Sequence, residues 1–350
     1  MCQAPVMRAH QLVASQQPAE PRDVPVPDPG PGEVLLKVGG AGLCHSDLHL
    51  MHWPLPVPQP YTLGHETAGW VEALGAGVTG VAVGEPVIVH GAWGCGHCRR
   101  CQADLEQYCE VAAASGAPGS GLGRDGGLAE YLLVPAARHL VPLGELDPRV
   151  WAPLDDAALT PYHALKRVMP LCTPDNWAMV QGIGGLGHAA VQLLKELTGA
   201  RVVAVDVADD KLQMAEDLGA DAIVRGDAPD AANLVREVTG GQGVAAVLDC
   251  VGLDATIQLA MQVVHPVSHI VVVGIGGGTL PLSYSTVPFE TVASTTFWGN
   301  VTELREVVAL ARAGRLTMHV EQVPLDAVGE AYERLEAGNV RGRVVALPHG

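Results

Sequence analysis

The sequence predicts an α/β protein in two parts, one β-rich and one a doubly wound parallel sheet, on three observations. The chain has 350 residues, more than one ordinary core needs and enough for two domains. Up to about residue 150, short stretches of alternating apolar character lie between Gly and Pro turns. Near Asp155 the texture changes to apolar runs of strand length alternating with helical spacing.

In the first part the predicted strands include 32–42 (GEVLLKVGGAG), 68–75 (AGWVEALG), 85–90 (EPVIVH) and 129–135 (AEYLLVP). The second part opens with 177–199, an apolar run, a glycine turn and then a helical pattern. A buried strand at 200–206 and a helical segment at 209–220 follow, and strands at 222–224, 244–252 and 269–276 continue the series. Such alternation implies parallel strands with helices on both faces. After Trp298 come helical segments at 302–313 and 325–337 and a final strand at 340–347. The return of a strand so late makes the β-rich part discontinuous: it is expected to take 1–155 and 297–350, with the parallel sheet in 156–296.

Composition narrows the function classes. Apolar residues at 48% and charged residues at 17% exclude disorder, and 42 Gly and 26 Pro without a period indicate tight turns. A net charge of −17 argues against nucleic acid and anionic membranes, which require clustered Lys and Arg. No apolar run approaches the roughly 18 residues of a membrane span. The N-terminal MCQAPVMRAHQLV lacks the basic start and apolar stretch of a signal peptide, so a cytoplasmic location is expected.

Of eight cysteines, four form the run Cys95-x2-Cys98-x2-Cys101-x7-Cys109. In a reducing compartment such a cluster is metal-binding in preference to bridged. Four thiolates wrap a tetrahedral Zn2+ at about 2.3 Å and leave no position for water, which makes the site structural. An iron–sulfur cluster uses the same ligand type, and spacing leaves it open. Gly94 and Gly96 suit the tight loop.

The second motif is GIGGLG, with Gly182, Gly184 and Gly187 in GxGxxG order around Gly185 and Leu186. It follows a predicted strand, opens a helix and is trailed by a strand ending in Asp206, the context that dinucleotide binding requires. Asp206 would hydrogen-bond the adenosine ribose and repel a 2′-phosphate, favouring NAD over NADP. The alternatives are a plain strand–helix junction and an Asp206 that only caps the next helix. A third constellation is spread along the chain: Gly42 to His49 (GLCHSDLH), Gly64-His65-Glu66 and Asp155-Asp156. Cys, His and a carboxylate can hold zinc with a fourth position open, although a Cys-His pair is also common in cores and an Asp pair at helix starts.

GLCHSDLH and TLGHETAG resemble the catalytic-zinc signatures of the medium-chain zinc-dependent alcohol dehydrogenases. The four-cysteine loop and GIGGLGH…AVD stand in that family's order, and the likeness runs through PLDDAALTPYHAL to the closing RGRVV. The chain is most similar to bacterial NAD-dependent secondary-alcohol dehydrogenases, in which Asp is the third zinc ligand, and Asp156 falls on that position. The resemblance implies a GroES-like catalytic domain joined to a Rossmann NAD-binding domain, with two zincs per subunit. It implies that Cys44, His65 and Asp156 bind the catalytic zinc, while Glu66 and Asp47 orient the ligands.

By the same resemblance, Ser46 contacts the substrate hydroxyl and His49 ends a proton relay. His45 and Arg343 can approach the cofactor pyrophosphate, and Thr160 lies beside the nicotinamide. Trp53, in the stiff loop 52–58, would wall the substrate together with Phe297 and Trp298. The expected activity is reversible, NAD-linked oxidation of apolar or aryl alcohols. The expected partners are a small alcohol or ketone and further copies of the chain, as a homodimer or homotetramer. A polyol or amino-alcohol dehydrogenase of the same fold, and a redox-inactive relative kept for zinc binding, are the competing readings.

Overall fold

The computed structural model describes residues 5–53 and 59–350. Residues 54–58 of the expected substrate loop, from Pro54 to Pro58, lie outside the described residues. The chain separates into two compact units, one of Met1–Asp156, Trp298–Gly314 and Val320–Gly350, the other of Ala157–Phe297 and Arg315–His319. Asp156 therefore falls in the first unit, and the short segment Arg315–His319 in the second.

The first unit is built on Val34–Leu43, a strand buried at every position except Lys37. Apolar side chains fill both of its faces, so it takes the centre of a sheet instead of an edge. Glu66–Leu74 and Arg343–Leu347 flank it antiparallel, and Tyr131–Val134 pairs with its beginning. Beyond Glu66–Leu74 come Pro86–Val89 and Leu140–Pro142, and beyond Arg343–Leu347 comes Val320–Pro324. A separate three-stranded sheet joins Glu20–Pro25, Val6–Leu12 and Tyr61–Thr62.

In the central register Gly42 stands opposite Glu66 on one side and Val345 on the other. A Cβ at Gly42 would lie 1.8 Å from Glu66 Oε2, so only glycine admits that carboxylate between the strands. The chain leaves Val34–Leu43 through Cys44 directly into the helix His45–His52. Asp47, in its first turn, accepts a hydrogen bond from the Cys44 N–H at 2.9 Å and satisfies a donor that the helix start would otherwise leave open.

The second unit is a six-stranded parallel sheet in the order Ala222–Arg225, Arg201–Asp206, Trp177–Gln181, Val244–Asp249, Val264–Val272, Val292–Thr295. The chain builds outward from Trp177–Gln181 to one edge and then returns to its other side. The reversal lies between Trp177–Gln181 and Val244–Asp249, at the ends where ligands of such sheets bind. Hydrophobic periodicity marks five of the six strands. Val292–Thr295 carries no fully buried position, so it shows no apolar pattern to read. Among the described residues no helix is long and apolar enough to cross a membrane.

The helix Val301–Arg312 opens with a reciprocal cap: Asn300 Oδ1 accepts from the Glu303 N–H at 2.7 Å, and Glu303 Oε2 accepts from the Asn300 N–H at 3.0 Å. Asn300→Ala removes one half of this cap and is expected to cost about 1 kcal/mol. A thermal unfolding midpoint equal to that of the unaltered protein would show that the cap contributes nothing.

Candidate metal centres and cofactor turn

The four cysteines of the 95–109 loop converge, and their sulfurs lie within 4.8 Å of one another. The separations are 3.5 Å for Cys98–Cys101 and 3.9 Å for both Cys95–Cys101 and Cys98–Cys109. Tetrahedral zinc with bonds of about 2.3 Å places its sulfurs about 3.8 Å apart, so the loop fits the ion and is far from a disulfide. Backbone amides are turned inward: Cys98 N–H donates to Cys95 Sγ, and Cys95 N–H to Cys109 Sγ, each at 3.3 Å. The backbone amides of Cys101 and Glu110 pull the Cys98 thiol down to about 6, while burial pushes Cys101 up to about 12. Metal binding at this loop therefore has to displace at least one proton.

A second set of donors gathers at the end of Val34–Leu43. Cys44, His65 and Asp156 bring one ligand atom each within 4.8 Å of the others. Asp156 Oδ2 lies 3.5 Å from His65 Nε2 and 3.6 Å from Cys44 Sγ. Three donors of sulfur, nitrogen and oxygen character, with no fourth ligand in the group among the described residues, form an open zinc set. The other side of the His65 ring faces Asp47: Nδ1 is 3.2 Å from Asp47 Oδ1, an ionic contact not aligned as a hydrogen bond. With zinc bound, Asp47 would keep the ring proton on Nδ1 and leave the Nε2 lone pair for the metal, the usual arrangement of a metal-bound imidazole. Burial works against a charged ring here, but Asp47, Asp156 and Cys44 outweigh it and hold the His65 pKa well above its usual value.

Behind these donors lies a buried ion pair. Arg343 donates through Nε to Glu66 Oε2 at 2.9 Å, through Nη2 to Glu66 Oε1, and through Nη2 to Asp156 Oδ2 at 3.1 Å. Glu66 is fully buried and Arg343 is 3% exposed. Arg343, expected near a cofactor pyrophosphate, is thus engaged with the carboxylates of the metal site. Burial pushes the Glu66 carboxyl up, and the guanidinium opposes it. Asp155 is separate from the donors: its Oδ2 accepts from the Gly91 N–H at 3.0 Å, and burial raises its pKa well above the carboxylate range.

Ser46 and His49 lie on the helix that follows Cys44, three residues apart and hence on one face. Ser46 Oγ is 3.6 Å from Cys44 Sγ. The His49 ring stacks on Trp53 at 4.4 Å and 7°, and its Nδ1 is buried without a hydrogen-bond partner. Burial, with help from His52, lowers the His49 pKa against the opposing charge of Asp47. His45, the first helical residue, is exposed. Trp298 is buried edge-on to His65 at 5.8 Å, and its Nε1–H donates to the Asp155 carbonyl at 2.9 Å. That hydrogen bond helps to hold the residue at φ 52°, a region costly for a bulky side chain. Phe297 and Thr160 belong to the second unit, Phe297 half-buried and Thr160 buried in the first turn of Leu159–Val168.

The glycine turn sits at the end of Trp177–Gln181 and leads into the helix Gly187–Leu197, with Gly184, Gly185 and Leu186 between. Gly182 has φ 80°, and a Cβ on Gly187 would lie 1.9 Å from the Gly182 carbonyl oxygen. Around Gly184 nothing comes within 4 Å of such an atom, so the turn is closed on its inner side and open on its outer one. Asp206 ends the neighbouring strand and accepts three backbone N–H groups, from Ile183 at 2.6 Å, Val207 at 2.8 Å and Ala208 at 3.0 Å. A carboxylate offers about four acceptor directions, which leaves one for a ligand.

Sequence reasoning missed Tyr332. Its hydroxyl donates to Asp47 Oδ2 at 3.0 Å from the helix Val328–Glu336, and both residues are buried. No local pattern relates residues 285 positions apart.

Residues 30–145 match the alcohol dehydrogenase GroES-like domain, and 185–313 match the zinc-binding dehydrogenase domain. The NAD-dependent alcohol dehydrogenase of Sulfurisphaera tokodaii is 32% identical over 98% of this chain and all of its own length. The crystal structure of the alcohol dehydrogenase from Aeropyrum pernix superposes with a TM-score of 0.90 at 36% identity, covering 97% of this chain and 100% of that one. Acetophenone reductase from Geotrichum candidum, solved in complex with NAD, gives 0.87 at 30% identity over 99% of this chain and 98% of that one. With the open Cys–His–Asp set, the closed four-cysteine loop and the glycine turn in one chain, these likenesses place the protein in the medium-chain zinc-dependent alcohol dehydrogenase family.

Proposed function

We propose that the protein is an NAD-linked, zinc-dependent alcohol dehydrogenase that interconverts primary or secondary alcohols of apolar or aryl character with aldehydes or ketones. The observation that carries this reading is the Cys44–His65–Asp156 set with the Ser46 hydroxyl 3.6 Å from Cys44 Sγ. Zinc held by these three residues supplies the Lewis acidity that makes an alcohol proton easy to lose, and NAD supplies the hydride acceptor.

The chain's own residues handle orientation and the proton. Asp47 and Arg343 fix the His65 ring and the Asp156 carboxylate by contacts behind them. Ser46 takes up the alcohol proton as its hydroxyl releases its own, and His49, neutral with its lowered pKa, is the outer acceptor of that path on the same helix face. Trp298 and the Trp53–His49 stack present apolar surface to a substrate, which suits aryl and aliphatic groups better than polyols. Thr160 and His45 are assigned to the nicotinamide and the pyrophosphate, and Asp206 to the adenosine ribose.

Assembly as a homodimer or homotetramer has support in the second unit. Val292–Thr295 ends the parallel sheet with no further strand among the described residues, and Leu282, Tyr284, Phe289 and Val292 are all exposed near it in sequence. A free edge with apolar neighbours is a surface that proteins usually cover. A reducing, cytoplasmic location accords with the seven cysteines among the described residues that remain thiols.

Metal removal tests the two zinc assignments. The raised His65 pKa means that its proton competes with zinc more strongly as pH falls. With the chelator adjusted to give the same free zinc at both pH values, the catalytic zinc, and with it turnover, is expected to be lost more completely at pH 6 than at pH 8. Loss of the four-cysteine metal is expected to lower the unfolding temperature instead. Equal extraction at both pH values would remove the His65 assignment.

Asp206→Ala is expected to shift the kcat/KM ratio of NAD to NADP by about ten- to a hundredfold, the worth of roughly 1.5–3 kcal/mol for a charged hydrogen bond. An unchanged ratio, whatever the overall loss, would leave Asp206 only its role in holding the turn.

For the proton path, Ser46→Ala is expected to lower kcat/KM for alcohol oxidation by about 100-fold or more. His49→Gln is expected to be milder, with a defect that shrinks as pH rises and solvent takes the outer step. Full turnover in Ser46→Ala between pH 6 and 10 would remove the relay, and an unaltered profile in His49→Gln would remove only its outer end.

A further inference from the structure

The first unit carries a third group of metal-ligating side chains, formed by residues of neither zinc set. His90 follows the strand Pro86–Val89, and His139 precedes Leu140–Pro142. These strands run antiparallel with Leu140 opposite Val89, and the His90 N–H donates to the His139 carbonyl at 2.7 Å. The two histidines therefore face each other across the ladder, where opposite side chains share a face. Glu106 reaches them from the turn Glu106–Tyr108, inside the four-cysteine loop. One ring nitrogen of each histidine and one oxygen of Glu106 all lie within 4.8 Å of one another.

One hydrogen bond sets the tautomer of His90. His90 Nε2 is 2.9 Å from the Gly299 carbonyl, which only accepts, so Nε2 carries the proton. Nδ1 is then a bare lone pair, and it is buried with no hydrogen-bond partner. This is how a metal-binding imidazole is oriented by its outer neighbour. Glu106 Oε1 is held by Arg138 Nε at 3.1 Å, and Arg138 Nη2 is fixed on the Gly94 carbonyl at 2.6 Å. Glu106 Oε2 is left 3.5 Å from His139 Nδ1, a spacing usual for two ligands of one ion and long for a hydrogen bond. Both histidines are at most 1% exposed. His139 Nε2, Trp93 Nε1 and the side-chain amide of Gln107 are also buried without partners. Buried polar groups without partners are uncommon, and the unpartnered nitrogens of the two imidazoles call for an occupant.

We propose that His90, Glu106 and His139 form a third metal site, for a divalent first-row transition ion such as zinc, that pins the four-cysteine loop to the strand pair beneath it. Two imidazoles and one carboxylate suit Zn2+, Co2+ or Ni2+, whereas Ca2+ and Mg2+ require oxygen ligands. The proposal is independent of the catalytic reading, and its test reads metal content and unfolding.

Full-length protein is loaded with zinc, dialysed against a weak competing chelator and analysed for metal per chain, beside Glu106→Gln and His139→Gln. The unaltered protein is expected to hold one zinc more than either variant, with the two other sites filled in all three. Loading with Co2+ is expected to add visible absorption without sulfur charge transfer, absent from the variants. Added zinc should raise the unfolding temperature of the unaltered protein more than that of Glu106→Gln, which keeps the shape and the hydrogen-bonding oxygen of the side chain. Equal metal counts in the unaltered protein and Glu106→Gln would overturn the site. So would a count of two in the unaltered protein, which would leave water as the occupant.

Discussion

Asp47 is the charge on which the candidate catalytic site rests. It is fully buried, and a buried carboxylate is tolerable only if its oxygens are met by donors or positive charge. Three groups meet it: the Cys44 N–H, the Tyr332 hydroxyl and the His65 ring. Each also fixes a part of the molecule. The first places the sulfur ligand at the helix start, the second docks the C-terminal helix, and the third turns the imidazole. One carboxylate thereby couples the local geometry of residues 44–47 to a helix almost three hundred residues away.

Arg343 does similar work from the opposite side. Glu66 and Asp156 are like charges close to the Cys44 sulfur, and without a counter-ion they would repel one another in a low-dielectric interior. The guanidinium bridges both, and the sheet register allows it only because Gly42 has no side chain to occupy the space of Glu66. The carboxylates of Asp156 and Asp47 beside the Cys44 sulfur carry charge of the kind a divalent ion neutralises. The site is therefore organised around a cation, and its strained neighbour Trp298 shields it on the apolar side.

The two zinc sets illustrate how one element serves different ends. The four-cysteine loop offers a metal sulfur alone, with backbone amides turned toward two of the sulfurs. The Cys44–His65–Asp156 set draws its ligands from three distant segments and leaves a position open. A closed site contributes folding energy, whereas an open one trades some affinity for room to bind a reactant. If the His90–Glu106–His139 group takes a metal as well, the loop is anchored at both its tip and its base.

The sequence by itself determined the class of the fold and the chemistry available to it. Apolar periodicity located most strands and helices, because side-chain alternation is a local property. The four cysteines and the glycine turn were legible because their ligand spacing and their backbone demands are also local. The spread donors Cys44, His65 and Asp156 could be joined only through resemblance, since no spacing rule spans them. The edge strand Val292–Thr295 escaped notice because its side chains are too exposed to leave a pattern. Only the tertiary structure decided that Tyr332 supports Asp47, that Arg343 serves the metal carboxylates, and that His90 and His139 face each other. All three depend on strand register and helix packing, which bring together residues whose charges and lone pairs have no partner in their own segment.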